Sequence, residues 1–108
     1  MLWNDDSITV YLFTKTEDLR VGTEDLDRVI RRHRKRGVRR GEVFVFANRK
    51  LDRVKVLFRD STGLWASQKH LAGRTYPDPS KYQRKPGQVG FVTIAPDDLA
   101  RFLRYGPH

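Results

Sequence analysis

Apolar and polar residues alternate over several short stretches of the chain, which is the pattern of half-buried strands. Runs rich in Val, Phe, Ile and Leu occur at 8–13, 42–47, 53–59, 64–71 and 91–94. The connections between the middle three runs are short and polar, so antiparallel pairing is favoured there. The pattern predicts a mostly antiparallel sheet of about five strands.

A first helix is predicted between the first two strands. Leu26, Val29 and Ile30 recur at the i, i+3, i+4 spacing of a buried helical stripe. Thr23 is expected to cap the start of this helix, and Gly37 is expected to stop it. Acidic residues follow Thr23 and basic residues precede Gly37, which suits the positive and negative ends of a helix dipole.

A second helix is predicted near the end of the chain, where Pro96 suits the first turn and Gly106 ends the apolar stripe. The order of elements is then β-α-β-β-β-β-α. This order indicates an α+β fold in a single domain over 1–108, with both helices on one face of the sheet. Residues 1–7 are expected to be frayed. The basic loop 73–90, rich in Pro and Gly, is expected to be either disordered or functional.

Composition narrows the class of protein. The chain has 108 residues and no cysteine, which excludes disulfides, thiolate nucleophiles and cysteine-based zinc sites. No apolar run approaches the roughly 20 residues of a membrane helix, and the start of the chain lacks a signal-peptide pattern. We therefore expect a cytoplasmic protein without a membrane partner, a metal or a cofactor.

The charge of the chain is large and unevenly distributed. Its 22 Lys and Arg outnumber 13 Asp and Glu, for a formal net charge of +9. Residues 1–30 are net acidic, whereas residues 31–108 carry 19 cations and six acids. Such asymmetry favours an anionic partner, and nucleic acid is the usual one for a small basic domain.

Two groups of cations are the predicted nucleic-acid contacts. The first group follows the first helix, where far more cations occur than capping of a helix end requires. The second group lies around strand 53–59, whose alternate residues are predicted to form a wet, basic face of the sheet. The full set is Arg31, Arg32, Arg34, Lys35, Arg36, Arg39, Arg40, Arg49, Arg53, Lys55, Arg59 and Lys69. The expected partner is DNA, in duplex form.

Aromatic and amide side chains add secondary candidates to this surface. Tyr76, Tyr82 and Trp65 could stack on bases, although Trp65 fits the hydrophobic core equally well. Asn48 and Arg49, at the tip of a hairpin, could reach base edges.

An enzymatic interpretation is weaker on the same sequence. Asp52 and Asp60 lie at opposite ends of one strand, about 25 Å apart, so they cannot share a metal ion within one chain. A metal-free ribonuclease of the small basic toxin type could use His33, His70 and Tyr105 as acid–base groups. Packing or capping roles are commoner for such residues. We therefore expect no catalytic residues.

Two stretches, VYLFTKTEDLRVGTEDL and GEVFVFANRKLDRVKVLFRDSTGLW, carry a family resemblance. They resemble the TnpB-type accessory proteins of insertion sequences of the IS-sixty-six type, which are unrelated to the RNA-guided nucleases that share the TnpB name. The matching positions are Asp18, Arg20, Gly22, Phe44, Val45, Phe46, Asn48, Arg49, Asp52, Arg53, Lys55, Leu57, Asp60, Gly63, Lys69, Leu71, Gly73 and Arg74.

The chain departs from that family pattern in ways that affect the structure. Leu51 replaces a glycine in the hairpin loop, so we expect another turn conformation or a left-handed Asn48 or Asp52. The cation run at 31–40 is not typical of the family.

The resemblance implies a helper of transposition that works beside a separate transposase and has no established chemistry. DNA binding fits that role, and so does docking onto the transposase. A ribonuclease toxin is the remaining alternative.

Overall fold

The computed structural model describes residues 8–85, 87 and 89–104. The strands are β1 (Thr9–Phe13), β2 (Glu42–Ala47), β3 (Arg53–Arg59), β4 (Leu64–His70) and β5 (Phe91–Ile94), and the helices are α1 (Thr23–Arg34) and α2 (Pro96–Arg104). The predicted α+β class and the order of the elements are confirmed. The predictions for residues 1–7, Tyr105 and Gly106 lie outside the described residues. No helix in the described part of the chain has the length and apolarity needed to cross a bilayer.

The five strands form one mixed sheet in the order β4-β3-β2-β1-β5. β1 and β2 are parallel, with Thr9 opposite Glu42 and Leu12 opposite Val45, and the other neighbouring strands are antiparallel. Parallel neighbours require a crossover connection, which here contains α1. Because β1 and β2 run in one direction, both end at the same edge of the sheet, the carboxyl edge. Both begin at the opposite, amino edge.

The two helices cover opposite faces of the sheet, so the prediction that both lie on one face is wrong. On one face, Leu26 and Ile30 of α1 pack with Phe44, Phe46 and other buried residues. On the other face, α2 packs against a second cluster built from the alternate strand residues. The reason is visible in β2, where all six residues are buried. A strand that is apolar on both faces belongs to the middle of a layered structure.

The ends of α1 differ from the predicted ones. Lys35 adopts the left-handed conformation (φ 64°) and ends the helix before Gly37 is reached. Gly22, rather than Thr23, occupies the cap position. A Cβ at Gly37 would lie 2.6 Å from a guanidinium nitrogen of Arg31, the far end of a flexible side chain that can shift.

Segment 73–85 packs onto the α2 face and contains a short 3-10 helix, Pro79–Tyr82. Tyr76 is fully buried, its ring stacks on Phe102 with a centroid separation of 5.6 Å, and its amide donates to the Leu51 carbonyl. The predicted base-stacking role of Tyr76 is therefore wrong, because its ring is enclosed by the core. The segment completes the core on this face.

The hairpin turn between β2 and β3 has Leu51 where the family pattern has a glycine, and neither Asn48 nor Asp52 takes the left-handed position. Leu51 itself adopts the left-handed conformation (φ 59°), which ordinarily favours glycine. Its side chain packs against the cluster on the α2 face, and this burial offsets the backbone strain. Asn48 fastens the same turn, because its side-chain oxygen accepts hydrogen bonds from the amides of Asp52 and Arg53.

A bidentate ion pair attaches the end of α1 to the start of β2. Arg34 donates to both carboxylate oxygens of Glu42 at 3.0 and 2.8 Å, and only 12% and 10% of the two side chains are exposed. The guanidinium also lies about 5 Å above the rings of Tyr11 and Phe44, a cation–π arrangement. Burial alone would raise the pKa of Glu42, but the hydrogen bonds from Arg34 and from the Arg39 amide lower it overall.

Replacing Arg34 by Met should lower the free energy of unfolding by about 3 kcal/mol, because it leaves the buried Glu42 carboxylate without its main partner. Arg32→Met is the matched control, since Arg32 is exposed on the same helix; its effect should stay within about 0.5 kcal/mol. The double variant Arg34→Met/Glu42→Gln should regain part of the loss. If Arg34→Met and Arg32→Met unfold at the same urea midpoint, the ion pair of Arg34 with Glu42 does not stabilise the fold.

Candidate nucleic-acid interface

The exposed cations in the last turn of α1 and in the segment that follows it form one group, which we call the helix-end patch. Arg32, Lys35, Arg36, Arg39 and Arg40 are all exposed. Glu42 draws this segment together, because Arg36 lies 3.6 Å from its carboxylate and the Arg39 amide donates to it at 2.8 Å. The patch therefore has a defined shape, set by the α1–β2 connection.

Three of the predicted residues at 31–40 are already engaged in ion pairs inside the molecule, and one of them is Arg36, at 3.6 Å from the Glu42 carboxylate. Arg34 pairs with Glu42 as described above, and Arg31 pairs with Asp27 at 2.9 Å. Within the described residues, the side chains of Arg32, Lys35, Arg39 and Arg40 have no carboxylate within ion-pair distance. These four cations are the part of the patch that is open to a ligand.

The predicted wet, basic face of the sheet does not exist in that form, because α1 and its flanking segments cover it. Lys55 donates to the carbonyls of Leu19 and Val21, both at 3.1 Å. Arg59 donates to the carbonyl of Val38 at 2.9 Å. Both cations satisfy backbone carbonyls that helical and strand hydrogen bonds leave open. They hold the connections on either side of α1 against β3.

Lys69 lies on the other face of the sheet. It is opposite Val54, whose side chain belongs to the core on the α2 face, and its ammonium donates to the Leu103 carbonyl at 3.0 Å. Lys69 therefore does not extend the array formed by Arg53 and Lys55. The twelve cations predicted to contact nucleic acid therefore do not form one continuous surface.

A groove of about 1040 Å³ opens at the carboxyl edge, and we call it the carboxyl-edge groove. It forms where the segment after β1 meets the β2–β3 turn, because the Glu17 amide donates to the Ala47 carbonyl at 2.8 Å. Its lining includes residues from both blocks of the sequence motif: Asp18, Arg20, Asn48, Arg49, Asp52, Arg53 and Lys55. The fold thus brings together motif residues that are more than 30 positions apart in the chain.

Carboxylates in the carboxyl-edge groove are held ionised by specific partners. The Arg20 guanidinium donates to both oxygens of Asp18 and lowers the pKa of that carboxyl to about 2. The Asn48 side chain donates to Asp52 at 2.6 Å and likewise lowers the pKa of Asp52. These pairs shape the groove walls.

The geometry of the enzymatic candidates is also defined. Asp52 and Asp60 lie at the two ends of β3, at the carboxyl and amino edges respectively. No group of three or more acidic or histidine side chains converges to hold a metal ion within residues 8–85, 87 and 89–104. The His33 ring contacts Phe13 and Phe91 edge-on, and His70 lies 3.5 Å from Asp52. His33 and His70 thus occupy separate environments.

The turn between β3 and β4 is organised by a single carboxylate. Asp60 accepts hydrogen bonds from the amides of Thr62 and Gly63, both at 2.8 Å, and from the Trp65 indole at 2.6 Å. The Trp65 hydrogen bond is the largest contribution that lowers the pKa of Asp60 to about 2. Trp65 is 54% exposed and stacks on Phe58, so it is a surface residue rather than a core residue.

The stability of the protein should respond to Asp60 at acid pH. The folded pKa, about 2, lies below the ordinary value of about 3.9. The stabilisation is therefore complete above the ordinary pKa and is lost as the pH falls through the folded pKa. Asp60→Asn should be less stable than the parent at pH 6, and this difference should narrow towards pH 2.

Fluorescence provides the measurement, in a Trp3→Phe background that leaves Trp65 as the sole tryptophan. The indole signal should titrate with a midpoint near the folded pKa of Asp60, about 2, and Asp60→Asn should abolish that step. If the Trp65 fluorescence titrates identically in the parent and in Asp60→Asn, the hydrogen bond from Trp65 to Asp60 is not the cause of the acid step.

Comparison with known proteins identifies the family of the chain. No curated protein and no solved structure matches the chain. The profile of the family described as "IS66 Orf2 like protein" matches residues 8–98, which include all five strands, α1 and the start of α2. The match covers most of the chain and includes every residue that lines the carboxyl-edge groove. The chain belongs to the IS66 Orf2-like family of insertion-sequence proteins.

Proposed function

We propose that this protein is a non-catalytic accessory factor for transposition that binds the phosphate backbone of duplex DNA. It acts in the cytoplasm beside a transposase, which supplies the chemistry. Family membership supports the connection with transposition. The surface charge supports the choice of DNA as the ligand.

The observation that carries the proposal is the helix-end patch. Arg32, Lys35, Arg39 and Arg40 are exposed and lack carboxylate partners among the described residues. Like charges gathered at one end of a helix repel one another, and a bound anion would relieve this repulsion. A DNA duplex offers closely spaced phosphates along each strand.

The chemistry of the patch suits backbone contacts better than base reading. Lysine and arginine contacts to phosphate position a protein on the duplex but carry no sequence information. The exposed Arg28 and Arg31 of α1 are held in ion pairs with Asp25 and Asp27 of the same helix, which makes them less available to read base edges in the major groove. Binding through this patch should therefore be strong at low salt and weakly selective for sequence.

Duplex binding should weaken steeply with salt, with a log–log slope of about −0.9 per phosphate neutralised. Replacing Arg32, Lys35, Arg39 and Arg40 by Gln should make the slope less negative by about 3 to 4. Fluorescence anisotropy with a labelled duplex, titrated at several salt concentrations, measures this change.

A charge-matched control distinguishes the patch from net charge. Replacing Lys81, Lys85, Arg101 and Arg104 by Gln removes the same number of cations from α2 and the segment preceding β5. The control should shift the slope by less than about 1. If both variants change the slope equally, or if the patch variant binds with the parental slope, the assignment of the patch is wrong.

A further inference from the structure

The carboxyl-edge groove is a second concentration of positive charge. Six cations line it, namely Lys15, Arg20, Arg49, Lys50, Arg53 and Lys55, against the carboxylates of Glu17, Asp18 and Asp52. Arg20 and Asp18 neutralise each other, and Lys55 is held by backbone carbonyls. Lys15, Arg49, Lys50 and Arg53 are exposed, and no ion pair joins them to a carboxylate in the described part of the chain.

The groove is well separated from the helix-end patch. Arg53 lies at the carboxyl edge, whereas Arg39 and Arg40 precede the start of β2 at the amino edge. Six residue steps along β3 correspond to about 20 Å. The nine residue steps along α1 from Thr23 to Arg32 run between the same two edges and correspond to about 14 Å, which is a second measure of the same separation.

Acidic residues lie between the two basic surfaces. Glu24, Asp25 and Asp27 occupy the first half of α1, which connects the groove to the patch. Arg28 and Arg31 pair with two of these carboxylates, and Glu24 is exposed. A straight duplex laid along α1 to reach both surfaces would meet this interval, where no excess positive charge compensates its phosphates.

The groove is also too broad for a single small anion. Its exposed cations come from the segment after β1 and from the β2–β3 hairpin, and they line a space of about 1040 Å³. Arg49 and Arg53 also help to lower the pKa values of Asp18 and Asp52. One phosphate group accepts hydrogen bonds within about 3 Å, so it would engage only part of this set. A row of phosphates at the spacing of a nucleic-acid strand fits the distribution better.

We propose that the carboxyl-edge groove is a second, independent contact for the DNA backbone, so that one molecule holds two duplex segments at once. This inference rests on the proposed function, because it takes the helix-end patch as the first contact. The two contacts lie on opposite sides of the acidic half of α1. The protein thereby acts as a bridge between two stretches of DNA.

A bridging assay tests this directly. A biotinylated duplex is immobilised, the full-length protein is added, and capture of a second, fluorescent duplex of unrelated sequence is measured at low salt. The parent protein should capture the second duplex over a limited range of protein concentration. Capture should fall when excess protein saturates each duplex separately.

Two variants separate the surfaces. The groove variant carries Arg49→Gln, Lys50→Gln and Arg53→Gln, and the patch variant is the fourfold Gln variant described above. Each should still bind a single duplex in anisotropy measurements but lose bridging by at least tenfold. Circular dichroism and thermal melting confirm that both are folded. The α2-side control, with Lys81, Lys85, Arg101 and Arg104 replaced, should bridge like the parent.

The outcomes distinguish this inference from the proposed function. If the parent binds no duplex, the proposed function fails. If it binds a duplex but does not bridge, or if the groove variant bridges like the parent, the function stands and the second contact is wrong. Bridging by a dimer that uses only the helix-end patch would persist in the groove variant. Sedimentation of the parent with and without DNA gives the mass of the bridging species.

Discussion

The parallel pairing of β1 with β2 is the constraint on which the rest of the structure depends. Two parallel neighbours cannot be joined by a tight turn, so α1 and its flanking segments must cross one face of the sheet. The crossover brings the segment after β1 to the β2–β3 turn at the carboxyl edge. It also brings the cations after α1 to the start of β2 at the amino edge, where the Arg34–Glu42 pair fixes them.

This arrangement gives the cations of the chain three different roles. Arg34, Lys55 and Arg59 are structural, because they satisfy a buried carboxylate or open backbone carbonyls. Arg20, Arg28, Arg31 and Arg101 form surface ion pairs with nearby carboxylates, which contribute little to stability. The remaining exposed cations, which include those of the helix-end patch and the carboxyl-edge groove, face solvent. Net charge alone therefore overstates how many cations are open to a ligand.

Family membership and geometry give different information about the protein. The family profile connects the chain to an insertion sequence without specifying a ligand or a site. The geometry shows where motif residues meet, since Asp18 and Arg20 from one block face Asn48, Arg49 and Asp52 from the other. The cations at 31–40 lie outside that groove.

Local patterns determined the elements themselves, since the strands at 42–47, 53–59 and 91–94 and the apolar stripes of both helices follow from periodicity and short-range preferences. They also determined the family, because the motif is a property of order and spacing along the chain. Only the tertiary structure decided which face each helix covers, that Leu51 takes the left-handed turn position, and that Lys55 and Lys69 face opposite sides of the sheet. The physical reason is that charge and periodicity are local quantities. Whether a cation meets solvent, a carboxylate or a backbone carbonyl depends on segments brought together from distant parts of the chain.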